Sequence, residues 1–284
     1  MWRSCEITFV ENFIAIRCLS GGYNWLNLSK TFTMAATDKK YFSERRTVRR
    51  YRPDAIDDSL VRNLLELAAH APNTGNMQLY SAVVTTDEET KKRLAPAHFN
   101  QPQVTECSHV VTFCADYRRY AMWCRISDAD PGCDNFQSFM AAVIDTCLFA
   151  QQFNTLAEMN GLGCCYLGTT TYNAPEIGEV LELPQLVVPI TTITVGYPEG
   201  DAALSDRLPV ESIVMDNKYK TFDESAIRKF YSEKESLEES RRFVVENGKR
   251  NLAQVYAEVR YPRASAEIFS AKFLEYVRKQ GFNF

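Results

Sequence analysis

The sequence predicts one large globular domain of mixed helices and short buried strands, preceded by an N-terminal segment of different character. Continuous apolar runs of strand length stand at residues 110–115 and 187–195. A longer segment, 136–160, repeats its apolar residues at helical spacing. A hydrophobic share of 45% in 284 residues is enough to fill a substantial core, and neither an internal repeat nor a flexible linker divides the chain. Residues 1–33 differ: they mix aromatic, apolar and polar residues without a period. Their one apolar patch, Phe13-Ile14-Ala15-Ile16, is interrupted by Arg17, and no small-residue cleavage site follows. They are expected to be a disordered arm or an upstream gene-model extension, with Met34 opening the domain and residues 34–284 forming it.

Asp38 to Glu44 reads as a short helix carrying Tyr41 and Phe42 into a basic run that holds five arginines: Arg45, Arg46, Arg49, Arg50 and Arg52. Two readings of the run stay open at this point. A solvated or nucleic-acid-binding patch is one. The other is a pocket for a small phosphate, which the planar, always-charged guanidinium fork suits. Arg52-Pro53 ends the segment, because the residue before proline avoids the helical region. Asp57-Asp58-Ser59 begins a helix with carboxylates at its positive end, and Leu60, Leu64, Leu65, Ala68 and Ala69 form its apolar stripe.

The loop Ala71-Pro72-Asn73-Thr74-Gly75-Asn76 is dense in turn formers and leads into a strand at 78–86. Two amides and a hydroxyl before a strand suit a polar planar ligand; a helix end followed by a turn accounts for the same residues. Residues 87–94 read as a short helix, and Gln101-Pro102-Gln103 lies between it and the strand at 110–115. Asp128, Asp130, Gly132 and Asp134 lack calcium-loop spacing and read as a surface loop. In the segment 136–160, Phe136, Met140, Val143, Ile144, Cys147, Leu148, Phe153 and Leu156 line a broad face with few charges (Asp145, Glu158), as in a domain core or a subunit interface. Asn160-Gly161 stops it. Glycines 161, 163 and 168 bracket a short strand and would let a backbone approach a flat ligand closely, or simply make a tight connection. A helix at 175–183 and the strand at 187–195 follow, then Gly196-Tyr197-Pro198 and a loop reaching Arg207. Residues 223–284 are charged and helical, ending in an amphipathic helix with Phe269, Phe273, Tyr276 and Val277.

Composition narrows the function. A net charge of −4 argues against a general polyanion binder and makes the arginine run a local feature. Nine cysteines, an odd number without Cys-x-x-Cys spacing, predict buried free thiols in a reducing, cytoplasmic setting. Three scattered histidines argue against a histidine metal site, so no metal is expected. No apolar run has the length of a membrane span, and nothing resembles a catalytic triad.

In order and spacing, four motifs together resemble the FMN-dependent nitroreductase family, above all its branch of major oxygen-insensitive NADPH nitroreductases and flavin reductases. They are Arg46-Thr47-Val48-Arg49-Arg50-Tyr51; Ala71 to Gln78; Gly161-Leu162-Gly163 with Tyr166-Leu167-Gly168; and Val195-Gly196-Tyr197-Pro198 with Arg207-Leu208-Pro209. The resemblance runs from about Tyr41 to Pro209 and returns at 273–281. It implies an α+β fold, a mixed, mostly antiparallel sheet flanked by helices, in a homodimer with the 136–160 helix at its centre. It implies an FMN cofactor and NADPH or NADH as electron donor. Nitroaromatics, quinones or free flavin would be reduced by a ping-pong two-electron mechanism in which no side chain is a catalytic acid, base or nucleophile. Partners are small molecules and a second copy of the chain, with neither nucleic acid nor membrane.

Residue by residue, the resemblance assigns Arg45, Arg46, Thr47 and Arg49 to the FMN phosphate and ribityl chain. Asn73, Thr74, Gly75, Asn76 and Gln78 would pack on the ring and ribityl from the partner subunit. Gln101 would face the ring edge. Tyr166, Leu167, Gly168 and Thr169 would lie beside the ring and its N5 side, and Arg207 would be a second phosphate contact. The chain departs from the family where Ser205 stands in place of a lysine, a missing charge that Arg45 would offset. It departs again near Arg241-Arg242 and Lys249-Arg250, where a basic loop would bind NADPH. The alternatives are a same-fold flavoenzyme of other chemistry, such as a flavin dehydrogenase or dehalogenase, and a nucleic-acid binder using Arg45–Arg52.

Overall fold

A computed structural model describes residues 6–10, 13–17, 23–27 and 39–284, with side chains from residue 40. The chain divides into two compact units, Met1–Arg45 and Arg46–Phe284. In the first, β1 (Glu6–Val10), β2 (Phe13–Arg17) and β3 (Tyr23–Asn27) pair antiparallel in sequence order, followed by α1 (Lys39–Glu44). The aperiodic reading of residues 1–33 gave no sign of these strands; the rest of that segment, Met34 included, lies outside the described residues.

The second unit is built on four strands, all antiparallel: β4 (Tyr80–Thr85), β5 (His109–Asp116), β6 (Gly163–Leu167) and β7 (Val187–Gly196), in the spatial order β4-β5-β7-β6. The two longest apolar runs of the sequence are therefore the two central strands. Every residue of β5 is buried, as a strand covered on both faces requires. Side chains alternate across the pleat. Val111, Phe113, Ile193 and Val195 point to one face, where α2 (Asp58–Ala68) and α6 (Phe136–Met159) pack through Val61, Leu64, Phe149 and Phe153. Tyr80 stacks on Phe149 at 4.5 Å, and Phe113 meets the same ring edge-on at 5.2 Å. On the other face, Val110, Cys165 and Leu167 meet α3 (Glu88–Leu94), the turn Ala95–His98, α4 (Gln103–Glu106) and α7 (Ala174–Val180). Pro189 stands in a central strand although it has no N–H to donate; a register shift between Phe113 and Cys114 accommodates it there.

The helix starts follow their caps. Asp57 accepts from the Ser59 N–H at 2.8 Å to open α2, and Asn135 accepts from Ser138 N–H at 3.0 Å to open α6. Along α6 the buried face is Phe139, Ala142, Thr146, Phe149, Ala150, Phe153 and Ala157. Of the face expected from the sequence only Phe153 is fully buried, and Phe136, Ile144, Cys147 and Leu148 lie exposed on the opposite side. The helix is apolar nearly all round, so periodicity alone did not distinguish the core face from a second one. After α5 (Arg118–Ile126), the C-terminal part comprises α8 (Glu224–Ser236), α9 (Glu238–Glu246), α10 (Leu252–Gln254) running into a π turn over Val255–Arg260, and α11 (Arg263–Lys279). Gln280 anchors the end of α11: its amide donates to Val187 O at 2.8 Å, and its carbonyl accepts from Leu186 N–H at 2.8 Å.

Candidate active site

Three of the predicted pieces gather along the β6 edge of the sheet. Residues 46–52 run extended beside it: Val48 N–H donates to Cys164 O at 3.0 Å, Arg52 N–H donates to Tyr197 O at 2.9 Å, and Tyr51 bridges Pro198. Two glycines make this approach possible. A Cβ on Gly163 would stand 2.6 Å from Val48 Cγ1, and one on Gly196 would stand 2.6 Å from Tyr51 Cδ1. This corrects the reading of Gly163 as a place for a flat ligand, because Val48 fills it. Gly168 is different: it is exposed and open space surrounds it, so backbone there is accessible.

Arg46 and Arg49 are exposed, whereas Thr47 is half-buried with polar partners of its own. Thr47, Arg49 and Arg50 line a cavity of about 390 Å³ together with residues 199–206, among them Glu199, Asp201, Ser205 and Asp206. These carboxylates, and the Arg52–Asp54 ion pair at 3.3 Å, keep the run from forming a continuous basic face. Beside Ser205, where the family lysine is absent, a cation arrives from another element: Lys234 of α8 places Nζ 2.9 Å from Asp206. Arg207 is exposed and donates to the carbonyls of Ser205 and Asp206 in its own loop. It lines a neighbouring, apolar cavity of about 860 Å³ with Leu208, Ile227, Tyr231 and Tyr256, and does not line the one holding Arg49. Arg45 belongs to the first unit, at its C-terminal end.

Gln101 and the strand end at 166–169 are joined through a residue the sequence reading passed over. His98 is fully buried, and its Nδ1 lies 2.8 Å from Thr169 Oγ1. Asn173 adds a second tie, donating to Ala97 O at 2.7 Å. Burial pushes the His98 imidazole down to about 4, so it is neutral, and its Nε2 has no partner among the described residues. Gln101 is half-buried and accepts from Gln103 Nε2 at 2.7 Å. Leu167 is buried in the core, and the Tyr166 hydroxyl donates to Gln151 of α6 at 3.4 Å.

The amide loop stands elsewhere. Asp145 of α6, a buried carboxylate in an otherwise apolar stretch, accepts from both Thr74 N–H (2.8 Å) and Thr74 Oγ1 (2.9 Å). Gly75, Asn76 and Gln78 all take left-handed φ of 55° to 57°, which turns the chain outward before β4. Asn73 Oδ1 accepts from Gln78 N–H at 3.3 Å. This loop leads into β4, the edge strand opposite β6. Tyr80 is in register with Ala115 and through it with Val188, near the start of β7, whereas Gly163 pairs with Gly196 at its end. Three interstrand steps and eight residues of strand put the two places roughly 30 Å apart. One chain therefore does not bring residues 73–78 to residues 46–49. The sequence signal for Asp145 was a carboxylate in an apolar helix whose one other charge is Glu158; for His98 there was none.

The donor set fits FMN in kind. Exposed arginines suit a phosphate, amide side chains on an outward-turned loop suit the polar edge of a ring, and a bare glycine backbone suits its flat face. Comparisons agree. The model of the nitroreductase family matches residues 42–197. The chain is similar to the oxygen-insensitive NADPH nitroreductase of Salmonella typhimurium, at 28% identity over 65% of this chain and 75% of that one. It is similar to the FMN reductase (NADPH) of Bacillus subtilis, at 30% identity over 61% of this chain and 71% of that one. A solved structure from Bacteroides fragilis shares 48% identity and a TM-score of 0.85, covering 86% of this chain and all of its own. With more than half its length matched by the family model, the chain belongs to the nitroreductase family.

Proposed function

We propose that this chain is an FMN-dependent oxidoreductase that takes electrons from NADPH or NADH and passes them, in pairs and in a ping-pong sequence, to a nitroaromatic, a quinone or free flavin. The family assignment and the relatives described as an NADPH nitroreductase and an FMN reductase support the reaction class. The observation that carries the site is the separation of the amide loop from the arginine segment within one sheet, because only a second copy of the chain brings the two together.

In this reading Arg46 and Arg49, with Thr47 between them, hold the phosphate, aided by Arg207 from the neighbouring loop. Asn73, Thr74, Gly75, Asn76 and Gln78 of the partner copy pack on the ring. Gln101 meets the ring edge, and the backbone of Tyr166, Leu167, Gly168 and Thr169 runs beside the N5 side, with Gly168 leaving room. The chemistry a bound flavin supplies is two-electron transfer through its ring system. The protein binds and orients, and no side chain acts as acid, base or nucleophile. For the donor, Arg242 and Lys249 are held by Glu246 at 3.6 Å and Glu258 at 2.8 Å, which leaves the exposed Arg241 and Arg250 as the cations that favour a 2′-phosphate and hence NADPH. The described cysteines are all free, which suits a reducing, cytoplasmic compartment, and no described helix is long and apolar enough to cross a membrane.

Steady-state kinetics test this reading. With NADPH varied at several fixed concentrations of a quinone, the double-reciprocal lines are expected to be parallel, and NADPH to give the higher kcat/KM. Intersecting lines contradict the ping-pong sequence, and absence of turnover with either nucleotide contradicts the assignment.

A further inference from the structure

Phe99 stands in a conformation that a large side chain avoids. Its φ is 55° and its ψ 33°, at the position closing the turn Ala95–His98 where glycine or asparagine is usual. The next residue, Asn100, is left-handed as well. The strained aromatic is not buried in return, since Phe99 remains 54% exposed. Its ring meets Phe269 of α11 at 6.1 Å, and Phe269 lies parallel to Tyr172 at 4.5 Å and 7°. Three rings from three parts of the chain thus form one partly exposed shelf.

Its location is fixed on both sides by the flavin-facing segments. Phe99 is two residues from Gln101. Tyr172 is three residues from Thr169, and its N–H donates to Thr169 O at 3.1 Å. The His98–Thr169 contact ties the two segments together directly under the shelf. Lys272 of α11 holds the third part in place, with Nζ 2.9 Å from Asn173 Oδ1. Backbone strain kept at one point, for a ring facing solvent beside a reaction site, is the pattern of a binding element.

We propose that Phe99, supported by Phe269 and Tyr172, is the acceptor-binding shelf: it stacks flat, fused-ring aromatic acceptors of the naphthoquinone type and sets the enzyme's preference for them over non-aromatic oxidants. The inference rests on the flavoenzyme reading above for the position of the ring it adjoins. Nothing in it alters the electron transfer; it concerns where the acceptor lies.

The test compares the unmodified holoenzyme with Phe99→Gly and Phe99→Tyr, using 1,4-naphthoquinone and ferricyanide as acceptors. In Phe99→Gly the ratio of kcat/KM for naphthoquinone to that for ferricyanide is expected to fall roughly 3- to 10-fold, the loss of one ring contact. The Kd for naphthoquinone, titrated into the oxidised protein without nucleotide, is expected to rise by the same factor. The melting temperature should equal or exceed that of the unmodified chain, because glycine takes the left-handed conformation without strain. Phe99→Tyr should keep the ratio. An unchanged ratio and Kd in Phe99→Gly, or an equal loss with both acceptors, overturns the proposal. Failure of the underlying reading shows separately, as an unmodified protein without flavin absorbance.

Discussion

His98 shows how a buried neutral group couples the site to stability. The unfolded chain takes up a proton at the ordinary imidazole value of about 6.5, whereas burial lowers the folded value to about 4. Between these values the unfolded state binds more protons, so stability falls as pH drops. The contribution of His98 is complete above about pH 6.5 and is lost progressively toward pH 4, amounting to about 3 kcal/mol. Thermal unfolding from pH 7 to pH 4 is therefore expected to show a loss about 3 kcal/mol larger in the unmodified chain than in His98→Gln; equal losses would contradict this. At this scale the sequence was readable where chemistry and spacing coincide. The arginines and the Asn73–Gln78 amides stood out in the sequence as polar groups, and Arg46, Arg49, Asn76 and Gln78 are exposed while Asn73 is half-buried. His98 and Phe99 gave no such signal, and Asp145 only that of a charge in an apolar helix, because what matters in each is a tertiary contact or a backbone angle. A histidine between alanine and phenylalanine carries no trace of the threonine 71 residues away that it meets.

In the proposed homodimer, helix α6 carries the second surface. Its inner face fills the core against β5 and β7, while Phe136, Ile144, Cys147 and Leu148 present a second apolar face to solvent. Exposed large apolar side chains on one side of a central helix are the kind of surface an interface uses, and in the proposed homodimer this face meets the partner. Asp145 lies on the same helix and holds that loop through Thr74. The proposed interface and the loop are thus carried by one helix. Placing a charge on the exposed face, as in Ile144→Asp, is expected to raise the dimer dissociation constant by roughly 100-fold or more, read by light scattering against concentration, and to release flavin in parallel. A dimer of unchanged affinity would remove α6 from the interface. The sequence foretold a helix buried on most sides but left open whether its broad apolar face lies in a core or an interface, because a helix apolar all round has no single period to read.

At the largest scale, the second unit is built on a four-stranded antiparallel sheet that brings the arginine segment and the strand end at 166–169 together along one edge and sends the amide loop to the other. Strand order was not legible in the sequence, since local patterning identifies strands and not their neighbours. The family resemblance supplied the fold class, and the register, which sets the two predicted site segments at opposite edges of the sheet, is the ground on which a two-copy site is proposed. The central claim is that this site holds FMN and that the nicotinamide donor reduces it. The most direct measurement is the visible absorbance spectrum of the purified protein after addition of FMN and gel filtration, recorded without oxygen before and after NADPH. The account predicts flavin bands that remain with the protein at one FMN per chain and bleach on addition of the nucleotide. A protein that emerges colourless would contradict it.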